Sequence, residues 1–118
     1  MKKYLYDKKN LKICVVGLGY VGLPLAIEFG KKFPTIGFDI KKSRVENLKI
    51  NFDENNEIKK NNFISSKFLT FSSNYKEISD SNFYVICVPT PVNNKNIPDL
   101  TLIRKACLLL AKVIKKND

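Results

Sequence analysis

Four short apolar stretches recur along the chain, each bounded by glycine, proline or polar residues. They occupy positions 12–17 (KICVVG), 35–40 (TIGFDI), 67–73 (KFLTFSS) and 82–88 (NFYVICV). Stretches of this length, without a helical repeat of their apolar positions, are typical of strands that a parallel sheet buries on both faces. The pattern therefore predicts four β-strands.

The segments between the first three strands have the composition of helices or polar loops. A helix is predicted over 20–33, with Gly30 as its C-cap, and a short helix over 42–50, with Ser43 as its N-cap. Residues 51–62 are polar and rich in asparagine, which predicts a surface loop or a weak helix.

Two further helices are predicted from the residues at their N-termini. Asn74, with Glu77 three residues later, is a candidate capping box for a brief helix over 75–79. Asp99 is expected to cap a long helix over 100–114, because the apolar positions of that segment follow the helical repeat.

Strands and helices thus alternate along the chain. Because parallel strands are joined by right-handed crossovers, this order predicts an α/β fold with a Rossmann-like, doubly wound parallel sheet in the strand order 3-2-1-4. The sequence stops where a fifth strand of such a sheet would begin. We expect one domain over 12–118, incomplete as a dinucleotide-binding fold, preceded by a polar arm over 1–11.

A glycine-rich turn lies between the first strand and the first helix. Gly17 is expected to make the tight exit from the strand, Gly19 to let a pyrophosphate approach the backbone, and Gly22 to let the helix pack closely. The N–H groups of Tyr20 and Val21 would then point at phosphate oxygens, where the helix dipole is positive. Such a glycine pattern alone is weak, but this one follows a strand and opens a helix, as a dinucleotide site requires.

An acidic residue ends the second predicted strand. Asp39 lies 22 residues after Gly17, close to the spacing of about 20 that places a carboxylate on the adenosine ribose. The alternative is an ordinary turn residue at a strand end. A carboxylate there favours NAD over NADP, because it repels a 2′-phosphate, although nearby Lys41 and Lys42 could neutralise one.

Two other residues have open roles on the sequence alone. Arg44 could lie over the adenine or reach the ribose, or it could be a solvated helix residue. Thr90 lies between Pro89 and Pro91 in the loop after the fourth strand, at the expected ligand crevice. Its hydroxyl could bind the cofactor, or the loop could be a rigid connector.

The charge balance does not predict a nucleic-acid partner. The formal net charge is +10, but only Arg44 and Arg104 among the 21 basic residues are arginine, and no nucleic-acid-binding motif accompanies the charge. No stretch approaches the roughly 18 apolar residues of a membrane span, and no secretory signal is recognised. We therefore expect neither a nucleic-acid nor a membrane partner.

The three cysteines suggest neither a disulfide framework nor a metal site, because their number is odd and no CxxC pair occurs. Cys14, Cys87 and Cys107 are expected to be small buried hydrophobic residues in a reducing, cytosolic setting.

Together, the segments KICVVGLGYVGLPLAIEFG, TIGFDIKKSRVENLK and NFYVICVPTPVNN resemble the amino-terminal domain of the nucleotide-sugar 6-dehydrogenases, from about Lys12 to the end of the chain. The combination of GLGYVGLPLA with VPTP is much more specific than the glycine pattern alone. The likeness is greatest to the UDP-N-acetylhexosamine branch, which makes uronic acid units for surface polysaccharides.

The resemblance implies that Tyr20, Val21, Asp39, Arg44 and Thr90 contact NAD, beside the glycines of the turn. It also implies an oxidation of a UDP-sugar C6 alcohol to a carboxylate with two NAD, in a longer homo-oligomeric enzyme. The family's catalytic and UDP-sugar-binding motifs are absent here, so no catalytic residue is assigned. We expect the chain alone to bind NAD without turnover.

The sequence is also compatible with other functions. A UDP-glucose 6-dehydrogenase or a β-hydroxyacid-type dehydrogenase has a similar first domain. A non-catalytic nucleotide-sensing domain, as in the regulatory domains of potassium channels, also has a glycine turn and a strand-end acid but does not need VPTP.

Overall fold

A computed structural model describes residues 8–118. In this range the strands are β1 (Ile13–Val16), β2 (Thr35–Phe38), β3 (Leu69–Ser72) and β4 (Phe83–Ile86). The α-helices are α1 (Gly22–Gly30), α2 (Lys42–Lys49), α3 (Lys60–Ser65) and α4 (Thr101–Leu110), and two short 3₁₀ helices cover Lys8–Asn10 and Tyr75–Ile78. Most of the predicted arm therefore lies outside the described residues, and the predicted domain boundary stays a prediction.

The four strands form one parallel sheet in the order β3-β2-β1-β4, which confirms the predicted topology. Ile13, the first residue of β1, lies opposite Thr35 of β2 and Phe83 of β4. Each strand has four residues, shorter than its apolar stretch in the sequence. All of β1 is buried, whereas β4 is only half-buried to exposed because it pairs with a neighbour on one side alone.

Alternate residues of β1 enter two separate cores, one on each face of the sheet. On one face, Ile13 and Val15 pack with Leu23, Ala26 and Ile27 of α1. Leu48 of α2 and Phe63 of α3 complete that core.

On the other face, Cys14 and Val16 pack with Phe38, Ile78, Ala106, Leu110 and Val113. Helices on both faces make the sheet doubly wound, as the alternating pattern predicted.

Gly30 is not the C-cap of α1, as the sequence suggested, but its last helical residue. The C-cap is Lys31, which keeps a right-handed conformation. A Cβ at position 30 would lie 2.6 Å from Cβ of Leu69 in β3. The glycine is required by close helix–strand packing and not by a left-handed turn.

Ser43 is not the N-cap of α2, because the helix begins one residue earlier and its N-cap is Lys41. The Lys41 side chain makes no capping hydrogen bond. The Lys41 N–H instead donates to Asp39 Oδ1 at 2.9 Å. The acid at the end of β2 therefore sets the path of the chain into α2.

The predicted capping box is only half formed. Asn74 Oδ1 accepts the N–H of Lys76 at 3.1 Å, but Glu77 accepts the hydroxyl of Ser72 and does not reach back to Asn74. The element that follows is a 3₁₀ helix, Tyr75–Ile78.

The last helix begins one residue later than the sequence predicted and also ends earlier. Its N-cap is Leu100 and not Asp99, although Asp99 Oδ1 accepts the N–H of Thr101 at 2.9 Å. Helix α4 ends at Leu110, although the following turn still buries Val113. None of the helices described for residues 8–118 is long and apolar enough to cross a membrane.

Candidate functional site

A cleft of about 530 Å³ opens at the carboxyl ends of β1, β2 and β4. This edge is where ligands bind in doubly wound sheets. Its wall is formed by the glycine turn, the end of β2, the loop after α2, the end of β4 and one side of α4. The lining residues that matter below are Gly17, Leu18, Gly19, Asp39, Arg44, Cys87, Pro89 and Lys105.

Two glycines of the turn are demanded by the packing of the chain itself. Gly17 has φ +95°, and a Cβ there would lie 2.9 Å from the carbonyl oxygen of Cys87. A Cβ on Gly22 would lie 1.7 Å from the carbonyl oxygen of Gly17. Strand β1, the turn and α1 therefore meet by direct backbone contact, as the sequence predicted for these positions.

Gly19 is different, because a Cβ there would meet no atom within 4 Å. No contact within the described chain explains the missing side chain. Gly19 instead leaves open space beside the backbone at the wall of the cleft. That space is where a ligand can approach the main chain closely, so the residue fits a phosphate-binding turn.

The N-terminus of α1 adds hydrogen-bond donors next to this space. Within residues 8–118, the N–H groups of Tyr20 and Val21 have no protein acceptor. The N-cap, Val21, makes no side-chain capping bond, and the first turn of α1 holds no acid. Tyr20 and Val21 are 68% and 69% exposed. Unpaired N–H groups at the positive end of a helix favour an anionic ligand.

Asp39 is half-buried at the end of β2 and lines the cleft. Its Oδ2 accepts the N–H of Leu18 at 3.0 Å, and its Oδ1 accepts the N–H of Lys41 at 2.9 Å. The described residues give it no ion-pair partner. Because a carboxylate oxygen can accept two hydrogen bonds, each oxygen still has an acceptor site for a ligand hydroxyl.

Arg44 is 6% exposed and is not a solvated helix residue. Its Nε and Nη2 donate to the carbonyl oxygen of Leu18 at 3.0 and 2.9 Å, and its Nη1 donates to Asp53 Oδ1 at 2.8 Å. The side chain lines the cleft, but three of its five N–H groups already bind the protein.

Asp53 is a buried residue that the sequence reasoning missed. Besides Arg44, its carboxylate accepts the N–H groups of Asn55, Glu57 and Ile58 at 2.9–3.1 Å. Burial alone raises the pKa of Asp53, but the bonds from Arg44 and from the N–H groups of Ile58 and Asn55 outweigh burial and lower the pKa below its ordinary 3.8. A signal was present, because an Asp in an asparagine-rich stretch is typical of a residue that binds its own backbone.

The structure brings together only part of the predicted site. Gly17, Gly19, Asp39 and Arg44 all line the cleft. The remaining predicted residues lie outside its lining, and they are Tyr20, Val21, Gly22 and Thr90. Thr90 is exposed on the loop after β4, where Pro89 reaches the cleft and Thr90 does not.

Helix α4 contributes a wall of the cleft that the sequence reasoning did not assign to the site. Leu102, Lys105, Ala106 and Leu109 line the cleft, so the apolar side of this helix serves both the core and the site. Lys105 adds a positive charge that the helical repeat alone did not place there. The sequence held a signal for this position, because the aliphatic part of a lysine next to an apolar stripe packs along the edge of that stripe.

The cysteines follow the expectation only in part. Cys14 is buried, and burial raises its pKa to about 12. Cys87 is half-buried at the cleft, and burial raises its pKa as well. Cys107 is exposed, which contradicts the predicted burial, because it lies on the solvent side of α4. Within the described residues, no group of three or more His, Cys, Asp or Glu side chains could hold a metal ion.

Comparison with known proteins agrees with this geometry. Residues 11–118 match the model of the UDP-glucose/GDP-mannose dehydrogenase family, NAD binding domain. The chain is similar to a UDP-N-acetyl-D-glucosamine 6-dehydrogenase of Salmonella typhi, with 44% identity over 97% of this chain and 27% of the relative. A protein of the same description from Pseudomonas aeruginosa is 43% identical over 93% of this chain and 26% of the relative.

Solved structures show the same likeness. The UDP-N-acetyl-mannosamine dehydrogenase Cap5O of Staphylococcus aureus superposes with a TM-score of 0.79 and 29% identity, covering 91% of this chain and 27% of that one. The chain thus spans about a quarter of the length of these relatives. It belongs to the UDP-glucose/GDP-mannose dehydrogenase family and carries that family's NAD-binding domain.

Proposed function

We propose that this chain is the NAD-binding part of a UDP-N-acetylhexosamine 6-dehydrogenase. The longer enzyme would oxidise the C6 alcohol of the sugar to a carboxylate with two NAD, for the synthesis of surface polysaccharides in the cytoplasm. The relatives named as UDP-N-acetyl-D-glucosamine 6-dehydrogenases, at 43–44% identity, support this substrate class. We further propose that the longer enzyme is a homo-oligomer and that the domain boundary lies at residue 12.

The single observation that carries NAD binding is the open space at Gly19, next to N–H groups that the protein leaves without acceptors. A pyrophosphate placed there would receive hydrogen bonds from Tyr20 and Val21 and gain from the dipole of α1. Gly17 and Gly22 contribute by letting the strand, turn and helix meet closely enough to form this surface.

Asp39 would hold the adenosine half of the cofactor, whereas Arg44 would serve the cofactor site through its hydrogen bonds to the Leu18 carbonyl. The free acceptor sites of Asp39 suit the two ribose hydroxyls, and its negative charge disfavours a 2′-phosphate. Thr90 is proposed as a further contact, which requires the exposed loop at 89–98 to carry it toward the cleft. NAD bound here supplies the hydride acceptor, and this chain's own residues bind and orient it.

The test is a titration of NADH into the wild-type chain and into Asp39→Ala. Loss of hydrogen bonds to a charged group is worth about 1.5–3 kcal/mol, so we expect affinity to fall at least about tenfold. The matched control is Asp80→Ala, an exposed acid just before the amino end of β4, which should bind NADH as the wild type does. Equal affinity of Asp39→Ala and wild type would contradict the role of Asp39.

A second measurement concerns chemistry. Incubated with NAD and UDP-N-acetylglucosamine, the 118-residue chain should form no NADH, since no catalytic residue is assigned within it.

The choice of cofactor is tested by comparing NADPH with NADH. The chain should bind NADPH more weakly than NADH, and this difference in affinity should be smaller in Asp39→Ala.

A further inference from the structure

The peptide groups on both sides of Leu18 are held by side chains from other elements. The Leu18 N–H donates to Asp39 at the end of β2, and the Leu18 carbonyl accepts two hydrogen bonds from Arg44 of α2. Leu18 itself is fully buried. The main chain just before Gly19 is therefore fixed by contacts that reach across the fold.

Holding the Leu18 carbonyl also fixes the N–H of Gly19. A peptide unit is planar and trans, so its C=O and N–H point in opposite directions. With the carbonyl turned toward the guanidinium of Arg44, the Gly19 N–H points away from it. Within residues 8–118 that N–H has no protein acceptor. Arg44 thus governs the orientation of a free donor beside the open space of the cleft.

Arg44 is in turn oriented by Asp53. The pair is buried on both sides, with side chains 7% and 1% exposed, and its Nη1–Oδ1 distance is 2.8 Å. Asp53 uses its remaining acceptor sites on the N–H groups of its own loop, so it is anchored independently of Arg44. A buried, hydrogen-bonded carboxylate of this kind fixes the rotamer of the long arginine side chain.

We propose that Arg44 and Asp53 are positioning residues of the cofactor site: they hold the Leu18–Gly19 peptide so that the N–H groups of the turn face the pyrophosphate. Asp53 acts only through Arg44 and has no contact with the cofactor. The proposal rests on the proposed NAD site and adds to it the loop at 51–58, which lies outside the glycine turn. Loss of either side chain frees the peptide to rotate and withdraws the donors.

The role differs measurably from a direct contact between Arg44 and the adenosine. If Arg44 only positions the turn, its substitution weakens the binding of ligands that carry phosphates. If Arg44 contacts the adenosine directly, its substitution weakens the binding of the nucleoside too. ADP and adenosine, each measured by competition with NADH, separate these cases. We expect Asp53→Asn and Arg44→Lys each to weaken ADP about tenfold, the effect of one charged hydrogen bond, and to leave adenosine within about twofold.

The chain offers a direct spectroscopic readout, because it contains only five glycines. A sample labelled with ¹⁵N-glycine gives one amide signal for each, and Gly19 reports on the peptide that Arg44 holds. In Asp53→Asn the Gly19 signal should move, while the signal of Gly30, which packs against Leu69 of β3, should stay in place. The unmoved Gly30 signal shows that the variant is folded.

A matched control and a double variant complete the test. Glu57→Gln makes the same charge change in the same loop, on an exposed side chain, and should leave ADP affinity and the Gly19 signal unchanged. The double variant, Arg44→Lys with Asp53→Asn, should bind ADP no more weakly than Arg44→Lys alone, because Asp53 acts through Arg44.

Several outcomes would overturn the proposal. One is an unmoved Gly19 signal with unchanged ADP affinity in Asp53→Asn. Another is an equal loss for adenosine and ADP, which would make Arg44 a direct contact. If Asp53→Asn does not fold, Arg44→Lys with the same two ligands decides alone. Failure of the wild type to bind NADH would contradict the NAD site itself, whereas wild-type binding with unaffected variants contradicts only the positioning role.

Discussion

The α-carbon of Gly22 packs so closely on Gly17 that a Cβ there would lie 1.7 Å from the Gly17 carbonyl oxygen. This contact joins the first turn of α1 to the end of β1. Gly17 also packs against the backbone of Cys87, the residue after β4. The turn thus lies between two strands and a helix. Of its three glycines, only Gly19 has open space where a side chain would be.

The two glycines should respond oppositely to alanine. Gly22→Ala forces backbone atoms apart, so we expect a loss of about 3 kcal/mol or more in the free energy of unfolding. Gly19→Ala meets no atom, so stability should stay within about 0.5 kcal/mol, while NADH affinity falls because the methyl group occupies the ligand's space. Urea unfolding followed by circular dichroism, together with NADH titration, measures both. Unchanged NADH affinity in Gly19→Ala would contradict a ligand at this position.

Gly30→Ala sets helix propensity against packing. Alanine gains about 1 kcal/mol over glycine inside a helix, but its Cβ would lie 2.6 Å from Cβ of Leu69, and overpacking costs about 1–3 kcal/mol. We expect a net loss of about 1 kcal/mol in urea unfolding. A gain in stability would show that α1 shifts freely away from β3.

Ser43→Ala tests the start of α2 and serves as the control for Gly30→Ala. If Ser43 were the N-cap, the substitution would cost about 1 kcal/mol. Because the N-cap is Lys41 and Ser43 is an exposed helical residue, we expect a change of less than about 0.5 kcal/mol. A larger loss would restore Ser43 as a capping residue.

Asp53 should make stability depend on pH in the acid range. Its folded pKa lies below the ordinary value of 3.8, so between the two values the unfolded chain binds more protons than the native one. The stabilisation is complete above pH 3.8 and is lost as pH falls through the folded pKa. Breaking one side of a buried pair costs about 3 kcal/mol, so Asp53→Asn should unfold at a lower urea concentration near neutral pH. The difference from wild type should shrink in acid; a constant difference would show that Asp53 does not titrate in this range.

The three thiols should differ in reactivity. Cys107 is exposed and should react first with iodoacetamide, Cys87 should react slowly, and Cys14, buried with its pKa raised to about 12, should react only on unfolding. Since Cys87 lines the cleft, NAD should slow its modification and leave Cys107 unaffected. Peptide mass spectrometry at several times measures each site. Equal rates for Cys87 with and without NAD would place the cofactor away from the end of β4.

Much of the fold could be predicted because its signals are local. A continuous apolar stretch such as 12–17 indicates a strand buried on both faces, and a glycine turn followed by a helix indicates the first crossover. The position of Asp39 at the end of the second strand follows from the same reasoning. The order of elements then leaves few topologies, and the predicted sheet order was confirmed.

Errors arose where a local signal had two physical causes. Gly30 has the position of a C-cap, but its small size is needed against Leu69 of β3, 39 residues further on. Ser43 has the composition of an N-cap, but the carboxylate of Asp39 binds the chain at Lys41 first. At Gly30 a contact with a distant strand outweighed a preference of about 1 kcal/mol. At Ser43 a preference of similar size was outweighed by a hydrogen bond between two neighbouring residues, Asp39 and Lys41.

The sequence by itself determined the class of fold, the order of the strands and the residues of the glycine turn. Only the tertiary structure decided that Arg44 turns inward to the Leu18 carbonyl and Asp53, that Gly19 alone among the five glycines faces open space, and that Thr90 lies outside the cleft. The reason is that burial, and the partner a polar group finds when buried, depend on which elements meet in space. Neither periodicity nor spacing along the chain specifies that meeting.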